Sequence, residues 1–191
     1  MKEISKSKIG ILAIQGDFAA HAAMLQSLGA ETAEVRTVAD LEQCDGLVLP
    51  GGESTTQLQF LQEEGLFEAI KKVAANNFPV LGTCAGAILL ATHVNNPPQT
   101  SLGLLDMTVL RNAYGRQLAS DVFVGSSKLK SEPMEMVFIR APIIDRVGPV
   151  SKSSLNTRTN LLSFKRATYS PRRSIPSSRT IQLCISTFSI W

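Results

Sequence analysis

The sequence predicts an α/β protein with an open, mainly parallel sheet flanked by helices. A continuous apolar run at residues 9–14 has the composition of a strand that is buried on both faces. Strand-like and helix-like segments then alternate as far as residue 91, which is the order of a parallel sheet with helical crossovers. Two glycine-rich turns, at 50–53 and 82–86, each follow a predicted strand, and ligands bind at such strand ends.

The first half of the chain contains most of the predicted crossovers. In chain order these elements are a strand at 9–14, a helix at 18–28 closed by Gly29, an outer strand at 31–36, a helix at 38–43, a strand at 47–49 and helices at 56–64 and 66–76. Ser54 or Thr55 is predicted to cap the helix at 56–64. The helix at 66–76 is amphipathic, so one of its faces is expected in the core.

The second half begins with the turn that carries Cys84. Its predicted elements are a strand at 78–81, a helix that starts at 87 and includes His93, and strands at 107–110, 121–124 and 136–140. After residue 149 the periodic pattern stops, and residues 153–189 are rich in Ser, Thr and Arg. No helix or strand of convincing length is predicted there.

Composition limits the classes of protein that this chain can belong to. With 191 residues, 44% hydrophobic and 18% charged, it is expected to be a soluble globular protein with one core. It has no apolar run near the roughly 18 residues of a membrane span and no signal-peptide pattern at its start. Three widely spaced cysteines predict neither disulfides nor a metal site, so a cytoplasmic location is expected.

The charge divides the chain into two parts. Residues 1–150 carry 12 Lys and Arg against 16 Asp and Glu, whereas residues 151–191 carry seven Lys and Arg and no acid. The sequence therefore predicts a packed domain at 1–150 and an aberrant tail at 151–191. A basic tail can also bind nucleic acid nonspecifically, and this is the weaker interpretation.

Cys84 lies in a Gly-x-Cys-x-Gly segment between a strand and a helix. Small flanking residues are expected there because a tight turn leaves no room for side chains. A cysteine at the start of a helix is also favoured as the thiolate, the nucleophilic form. A buried cysteine in an ordinary loop is the alternative, and this segment by itself leaves both open.

Four further segments accompany the Cys84 segment in a characteristic order. Together they resemble the glutaminase subunit of pyridoxal 5′-phosphate synthase, a class I glutamine amidotransferase, over residues 8–150. The five segments are Ile-Gln-Gly-Asp at 14–17, Leu-Pro-Gly-Gly-Glu-Ser-Thr-Thr at 49–56, Gly-Thr-Cys-Ala-Gly at 82–86, Arg-Asn-Ala-Tyr-Gly-Arg-Gln at 111–117 and Phe-Ile-Arg-Ala-Pro at 138–142.

The resemblance implies a flavodoxin-like three-layer fold and hydrolysis of L-glutamine to glutamate and ammonia. The ammonia would pass to a synthase subunit, with no cofactor, metal, nucleic acid or membrane involved. Cys84 would be the nucleophile, and backbone N–H groups of Gly52 and Ala85 would form the oxyanion hole. The glutamine-binding residues implied are Gly52, Glu53, Ser54, Arg111, Ile139 and Arg140.

The family completes its site with a His-x-Glu pair, which this sequence lacks. The chain has two histidines, His21 and His93. On a continuous helix, nine residues would place His93 about 180° around from Cys84 and about 13 Å along the axis. His21 has no carboxylate at the family's spacing, so both are predicted to be ordinary surface or packing histidines.

A shifted reading frame would account for the missing pair. With synonymous codons allowed, the DNA for residues 168–178 can encode Ile-Leu-Ala-Ala-Thr-Phe-His-Pro-Glu-Leu in another frame. We therefore expect a frameshift near residues 151–153, with the C-terminal strands and helix lost or disordered. The chain is expected to be an impaired glutaminase. The alternative is an inactive subunit that still binds the synthase.

Overall fold

The computed structural model describes residues 7–112, 121–125, 134–138 and 142–147. Strands and helices alternate through the first half of the chain, and this confirms the predicted α/β class. The elements are β1 (Lys8–Leu12), α1 (Phe18–Ser27), β2 (Glu31–Val35), α2 (Val38–Glu42), β3 (Gly46–Leu49), α3 (Ser54–Glu63), α4 (Leu66–Ala75), β4 (Val80–Gly82), α5 (Ala85–Leu90), β5 (Ala91–Asn95), β6 (Leu105–Leu110), β7 (Asp121–Gly125), β8 (Met134–Phe138) and β9 (Ile143–Val147).

The largest sheet has the strand order β2-β1-β3-β4, and every neighbouring pair is parallel. β2 lies at an edge, as the sequence predicts, and all four residues of β3 are buried. Because β1, β3 and β4 run in the same direction, the turns that follow them lie along one edge of the sheet. This edge carries both glycine-rich turns.

Apolar side chains cover both faces of this sheet. Successive residues of a strand point to opposite faces, and β3 follows this rule. Leu47 and Leu49 pack in the larger cluster with residues of α3, α4 and α5, whereas Val48 packs with Leu25 of α1. Helices therefore lie on both sides of the sheet, giving the three layers expected. None of the helices in the described ranges is long and apolar enough to cross a membrane.

Two smaller sheets follow in the chain. β5, β6 and β9 form one, with β5 parallel and β9 antiparallel to β6, and β7 pairs antiparallel with β8. The predicted strands at 107–110, 121–124 and 136–140 correspond to β6, β7 and β8, with shifted ends. The sequence did not predict β9, because Asp145 and Arg146 interrupt its apolar pattern. Residues 139, 140 and 151–191, which include the predicted tail, lie outside the described residues.

The prediction that a helix carries His93 was wrong. α5 ends at Leu90, and the backbone is already extended at Ala91, with φ −63° and ψ 150°. His93 lies in β5, where it is exposed and in register with Thr108. The β-branched residues on either side, Thr92 and Val94, favour a strand over a helix. The helical distance calculated for His93 therefore does not apply.

We expect Gly86→Ala to destabilise the fold. A Cβ at this position would overlap the backbone carbonyl of Leu49 in β3, which cannot rotate away. Forced overpacking of this kind lowers the free energy of unfolding by about 1–3 kcal/mol. Gly51→Ala is the control, because its Cβ would meet its nearest neighbour at an ordinary 3.4 Å. Urea denaturation followed by circular dichroism measures both, and equal stability of the two variants would contradict the packing argument.

Candidate active site

Cys84 lies on a sharp turn between β4 and α5, where the sequence predicts it. Its backbone has φ +49° and ψ −104°, a conformation that costs a non-glycine residue about 1–3 kcal/mol and is found mainly at functional sites. The backbone N–H of Thr83 donates to the carbonyl of Leu49 at 3.0 Å. The N–H of Gly86 donates to the carbonyl of Thr83 at 2.9 Å. The turn is therefore fixed to the end of β3 and to the start of α5.

The glycines on either side of Cys84 are required by close packing. A Cβ at Gly82 would lie 2.6 Å from the carbonyl of Gly86, and one at Gly86 would overlap the carbonyl of Leu49. Side chains at either position would push α5 away from the sheet. This is the physical basis of the small residues in the Gly-x-Cys-x-Gly segment.

The turn after β3 reaches the Cys84 turn directly. A Cβ built on Gly51 would lie 3.4 Å from the Cβ of Cys84. The turn after β1 joins them, because Gly16, at φ +94°, packs on the carbonyl of Gly51 so closely that a side chain there would overlap it. Turns from three neighbouring strands thus meet beside Cys84, and Gly52 is brought to the same place.

Gln57 of α3 joins two of these turns by hydrogen bonds. Its side chain is fully buried, and its Nε2 donates to the carbonyls of Pro50 at 3.2 Å and Gln15 at 3.4 Å. Its Oε1 is buried and has no hydrogen-bond partner among the described residues. Sequence reasoning missed this residue, since a polar side chain on an exposed-looking helix gives no signal of its burial.

Glu53 is the N-cap of α3, which corrects the prediction of Ser54 or Thr55. Its carboxylate accepts hydrogen bonds from the backbone N–H groups of Thr55 at 3.1 Å and Thr56 at 2.7 Å. Partial burial tends to raise the pKa of Glu53, but the hydrogen bonds from Thr56 and Thr55 outweigh it and hold the pKa below its usual value. A carboxylate satisfies two N–H groups at once, which a hydroxyl does less well.

Arg111 is brought to the same turn from the end of β6. Its Nη2 lies 3.4 Å from Oε1 of Glu53 and donates to the hydroxyl of Thr55 at 2.8 Å. The side chain is only 13% exposed, so it is not a solvated surface arginine. The structure therefore places Arg111 beside Glu53, whereas Ile139 and Arg140 lie outside the described residues.

Ser54 is buried and is held by a residue that the sequence analysis missed. Its hydroxyl donates to Oε1 of Gln99 at 3.0 Å, and Nε2 of Gln99 donates back to the carbonyl of Ser54 at 3.3 Å. Gln99 lies in the loop between β5 and β6, 45 residues away in sequence. Only the folded chain brings the two together.

His21 lies closer to the Cys84 turn than the sequence suggested. Its Nε2 is 3.1 Å from the hydroxyl oxygen of Thr83, the residue before Cys84. Burial lowers the pKa of His21, and the nearby carboxylate of Asp17 opposes this only in part. The prediction of a packing histidine agrees with its partial burial, but the contact with Thr83 was not anticipated. No group of three or more possible metal ligands occurs in the described part of the chain.

Comparison with known proteins identifies the family. The SNO glutamine amidotransferase family matches residues 11–169. This chain belongs to that family. Its relatives include proteins called pyridoxal 5′-phosphate synthase subunit PdxT. That of Fervidobacterium nodosum is 50% identical over 74% of each chain, and that of Koribacter versatilis is 51% identical over 74% of this chain and 73% of its own.

A crystal structure of a glutamine amidotransferase gives the same result for the fold. It is 40% identical in sequence, with a TM-score of 0.65 over 73% of this chain and 75% of its own. The family resemblance found in the five sequence segments is therefore confirmed, as is the α/β fold that it implied.

Glu53→Gln is expected to weaken the start of α3. The variant loses a charged cap and the partner of Arg111, so the free energy of unfolding at pH 7 should fall by about 1 kcal/mol. Because the folded protein holds the pKa of Glu53 low, this stabilisation is present above the unfolded value and is lost as the pH falls through the folded value. Urea denaturation at pH 7 and at acid pH measures the difference, which should shrink on acidification.

Glu63→Gln is the matched control for the cap. Glu63 lies at the other end of α3, where its carboxylate accepts from Gln59 on the surface. Its removal should change the stability at pH 7 much less. Equal losses in the two variants would contradict the role of Glu53 as the cap.

His21 should make the fold less stable in mild acid. Its pKa is lowered in the folded state, so the unfolded chain takes up the proton first as the pH falls below about 6.5. Stability is therefore full above that pH and declines below it. In His21→Gln the drop in Tm between pH 7.5 and 5.5 should be smaller than in the wild type. His93→Gln, at an exposed position in β5, is the control and should keep the wild-type drop in Tm. An unchanged drop in His21→Gln would show that His21 is not the source of the acid sensitivity.

Proposed function

We propose that this chain is built to hydrolyse the side-chain amide of L-glutamine through Cys84. The products are glutamate and ammonia, and the ammonia passes to a pyridoxal 5′-phosphate synthase subunit in the cytoplasm. The observation that carries this proposal is the strained Cys84 turn packed against Gly51, in a chain of the glutamine amidotransferase family. The names of the relatives support the synthase as the partner.

The chemistry proceeds in two steps. The thiolate of Cys84 attacks the amide carbon, and the negative charge that develops on the amide oxygen is stabilised by the backbone N–H groups of Gly52 and Ala85. The C–N bond then breaks, the nitrogen leaves as ammonia after gaining a proton, and a γ-glutamyl thioester remains. Water attacks the thioester, which releases glutamate and restores the thiol.

Substrate binding is assigned to residues around the turn after β3. Gly52, Glu53 and Ser54 would contact the glutamine, with Arg111 beside them. Glu53 carries a negative charge suited to an α-ammonium group, and Arg111 forms an ion pair with it at 3.4 Å. Ile139 and Arg140 are assigned by their place in the Phe-Ile-Arg-Ala-Pro segment alone.

Proton transfer is the step that this chain performs poorly. The sequence has no His-x-Glu pair to take the proton of the thiol and to return one to the leaving nitrogen. We propose that residues 151–191 are translated out of frame and that the pair belongs to the other frame. Sequencing the gene across codons 148–156 tests this, and an intact frame without alternative His-Pro-Glu codons would refute it.

A second candidate is a non-catalytic subunit that still binds the synthase. The absence of the His-x-Glu pair favours it, since nucleophile and base act as a unit. Residues 7–112, which the structure describes, include the Cys84 turn and contain no His-x-Glu pair. Binding to the synthase subunit without ammonia release would distinguish this candidate from the enzyme.

We expect the 191-residue chain to release ammonia roughly 10⁴-fold more slowly than an intact relative, with the synthase subunit present in both assays. The loss follows from the missing base and its orienting carboxylate. The assay measures ammonia from L-glutamine under saturating substrate. Turnover equal to that of the relative would refute the proposed impairment.

Two variants make this assay specific. Cys84→Ser should remove the ammonia release that depends on the Cys84 thiol. Any ammonia that this variant still releases is the background of the assay. A chain whose residues after 150 are replaced by the alternative-frame translation should regain activity. Failure of that chain to release ammonia, although it is folded and bound to the synthase, would contradict the proposed glutaminase function.

A further inference from the structure

We propose that His21 is a positioning residue for the nucleophile turn: its imidazole holds the side chain of Thr83 and thereby fixes how Cys84 is presented. The inference rests on the proposed role of Cys84 as the nucleophile. It assigns a function to a histidine that lies far from Cys84 in sequence and is unrelated to the missing His-x-Glu pair.

The fold explains how α1 reaches this turn. α1 follows β1, and β1 is separated from β4 by β3 alone. The beginning of α1 therefore lies over the sheet edge at which the turn after β4 emerges. His21 is in the first turn of α1, where its N–H donates to the carbonyl of Asp17 at 3.2 Å. Its ring spans the remaining gap, with Nε2 at 3.1 Å from the Thr83 hydroxyl.

Thr83 is then held by three separate elements. Its N–H is bound to β3 through Leu49, its carbonyl accepts from Gly86 in α5, and its hydroxyl pairs with His21 in α1. The next residue, Cys84, has a positive φ. A strained backbone persists only where its surroundings determine it from several sides. The contact with His21 is the one of these three that a side-chain substitution can remove without altering the backbone.

The surroundings of His21 favour its neutral form. Burial favours the neutral ring, and Asp17, on the same helix, opposes this in part. Cys84 is the titratable group that follows Thr83 in the opposing turn. A neutral imidazole has one donor and one acceptor nitrogen, so it pairs with a hydroxyl in either tautomer. The contact therefore does not require a charged histidine.

Alkylation of Cys84 tests the proposal on the full 191-residue chain. Iodoacetamide is the probe, and the rate is followed by mass spectrometry of the peptide that contains Cys84, so Cys44 and Cys184 do not contribute. A pH profile separates two quantities: the inflection reports the pKa of the thiol, and the plateau reports the reactivity of the thiolate. Positioning changes the plateau, whereas an imidazolium–thiolate pair would shift the inflection.

The variants form a double-mutant cycle. His21→Ala and Thr83→Val should each lower the plateau rate about fivefold, and the double variant should lower it no further, because both remove the same contact. Thr83→Ser keeps a hydroxyl and should stay near the wild-type rate, as should His93→Ala. Circular dichroism confirms that each variant is folded. If His21→Ala does not fold, the comparison of Thr83→Val with Thr83→Ser decides, because valine retains the shape of threonine.

Three results would overturn the proposal. They are an unchanged plateau in His21→Ala, additive losses in the double variant, and a rise of the inflection pH as the main effect. The test involves no glutamine, so it is independent of the proposed activity. Coupled alkylation without ammonia release from the frame-restored chain would refute the glutaminase and leave the role of His21 intact. Ammonia release from the frame-restored chain without coupled alkylation would refute the role of His21 and leave the proposed glutaminase intact.

Discussion

The close approach of α5 to the end of β3 is the constraint on which the candidate site depends. Gly86 packs on the carbonyl of Leu49, which leaves no room for a Cβ and brings the start of α5 onto the sheet edge. The chain must then reverse from β4 into α5 within two residues, and Cys84 takes a positive φ as a result. The conformation of Cys84 is therefore a consequence of backbone packing.

A set of polar contacts holds the turn after β3, which packs against the Cys84 turn. Glu53 caps α3 and pairs with Arg111, Ser54 exchanges two hydrogen bonds with Gln99, and buried Gln57 joins the turns after β1 and β3. Gln99 and Arg111 come from distant parts of the chain, and their contacts meet those of Gln57 around this turn. Several hydrogen bonds therefore hold this turn, although Oε1 of Gln57 is buried without a partner among the described residues.

The proposed catalytic groups come from two separate parts of the chain. The nucleophile, the turn that packs against it and Glu53 all lie before residue 112, whereas the His-x-Glu pair of the family would come after residue 150. An altered C-terminal sequence can therefore leave the nucleophile turn in place and still remove proton transfer. The charge changes near the same place, from 12 Lys and Arg against 16 acids in residues 1–150 to seven against none in residues 151–191.

The sequence by itself determined the α/β class, the position of Cys84 between strand and helix, and the family, because these depend on local periodicity, glycine spacing and short segments. It did not determine which side chain caps α3, that His93 lies in a strand, or that His21 touches Thr83. The contact of His21 with Thr83 joins residues 62 positions apart, and the place of His93 depends on the competition between a short helix and a strand at Ala91. The cap is local, but several polar residues in succession could supply it, and the position at which α3 starts selects Glu53. Tertiary packing decided the contact between His21 and Thr83, because long-range geometry has no signature in local sequence.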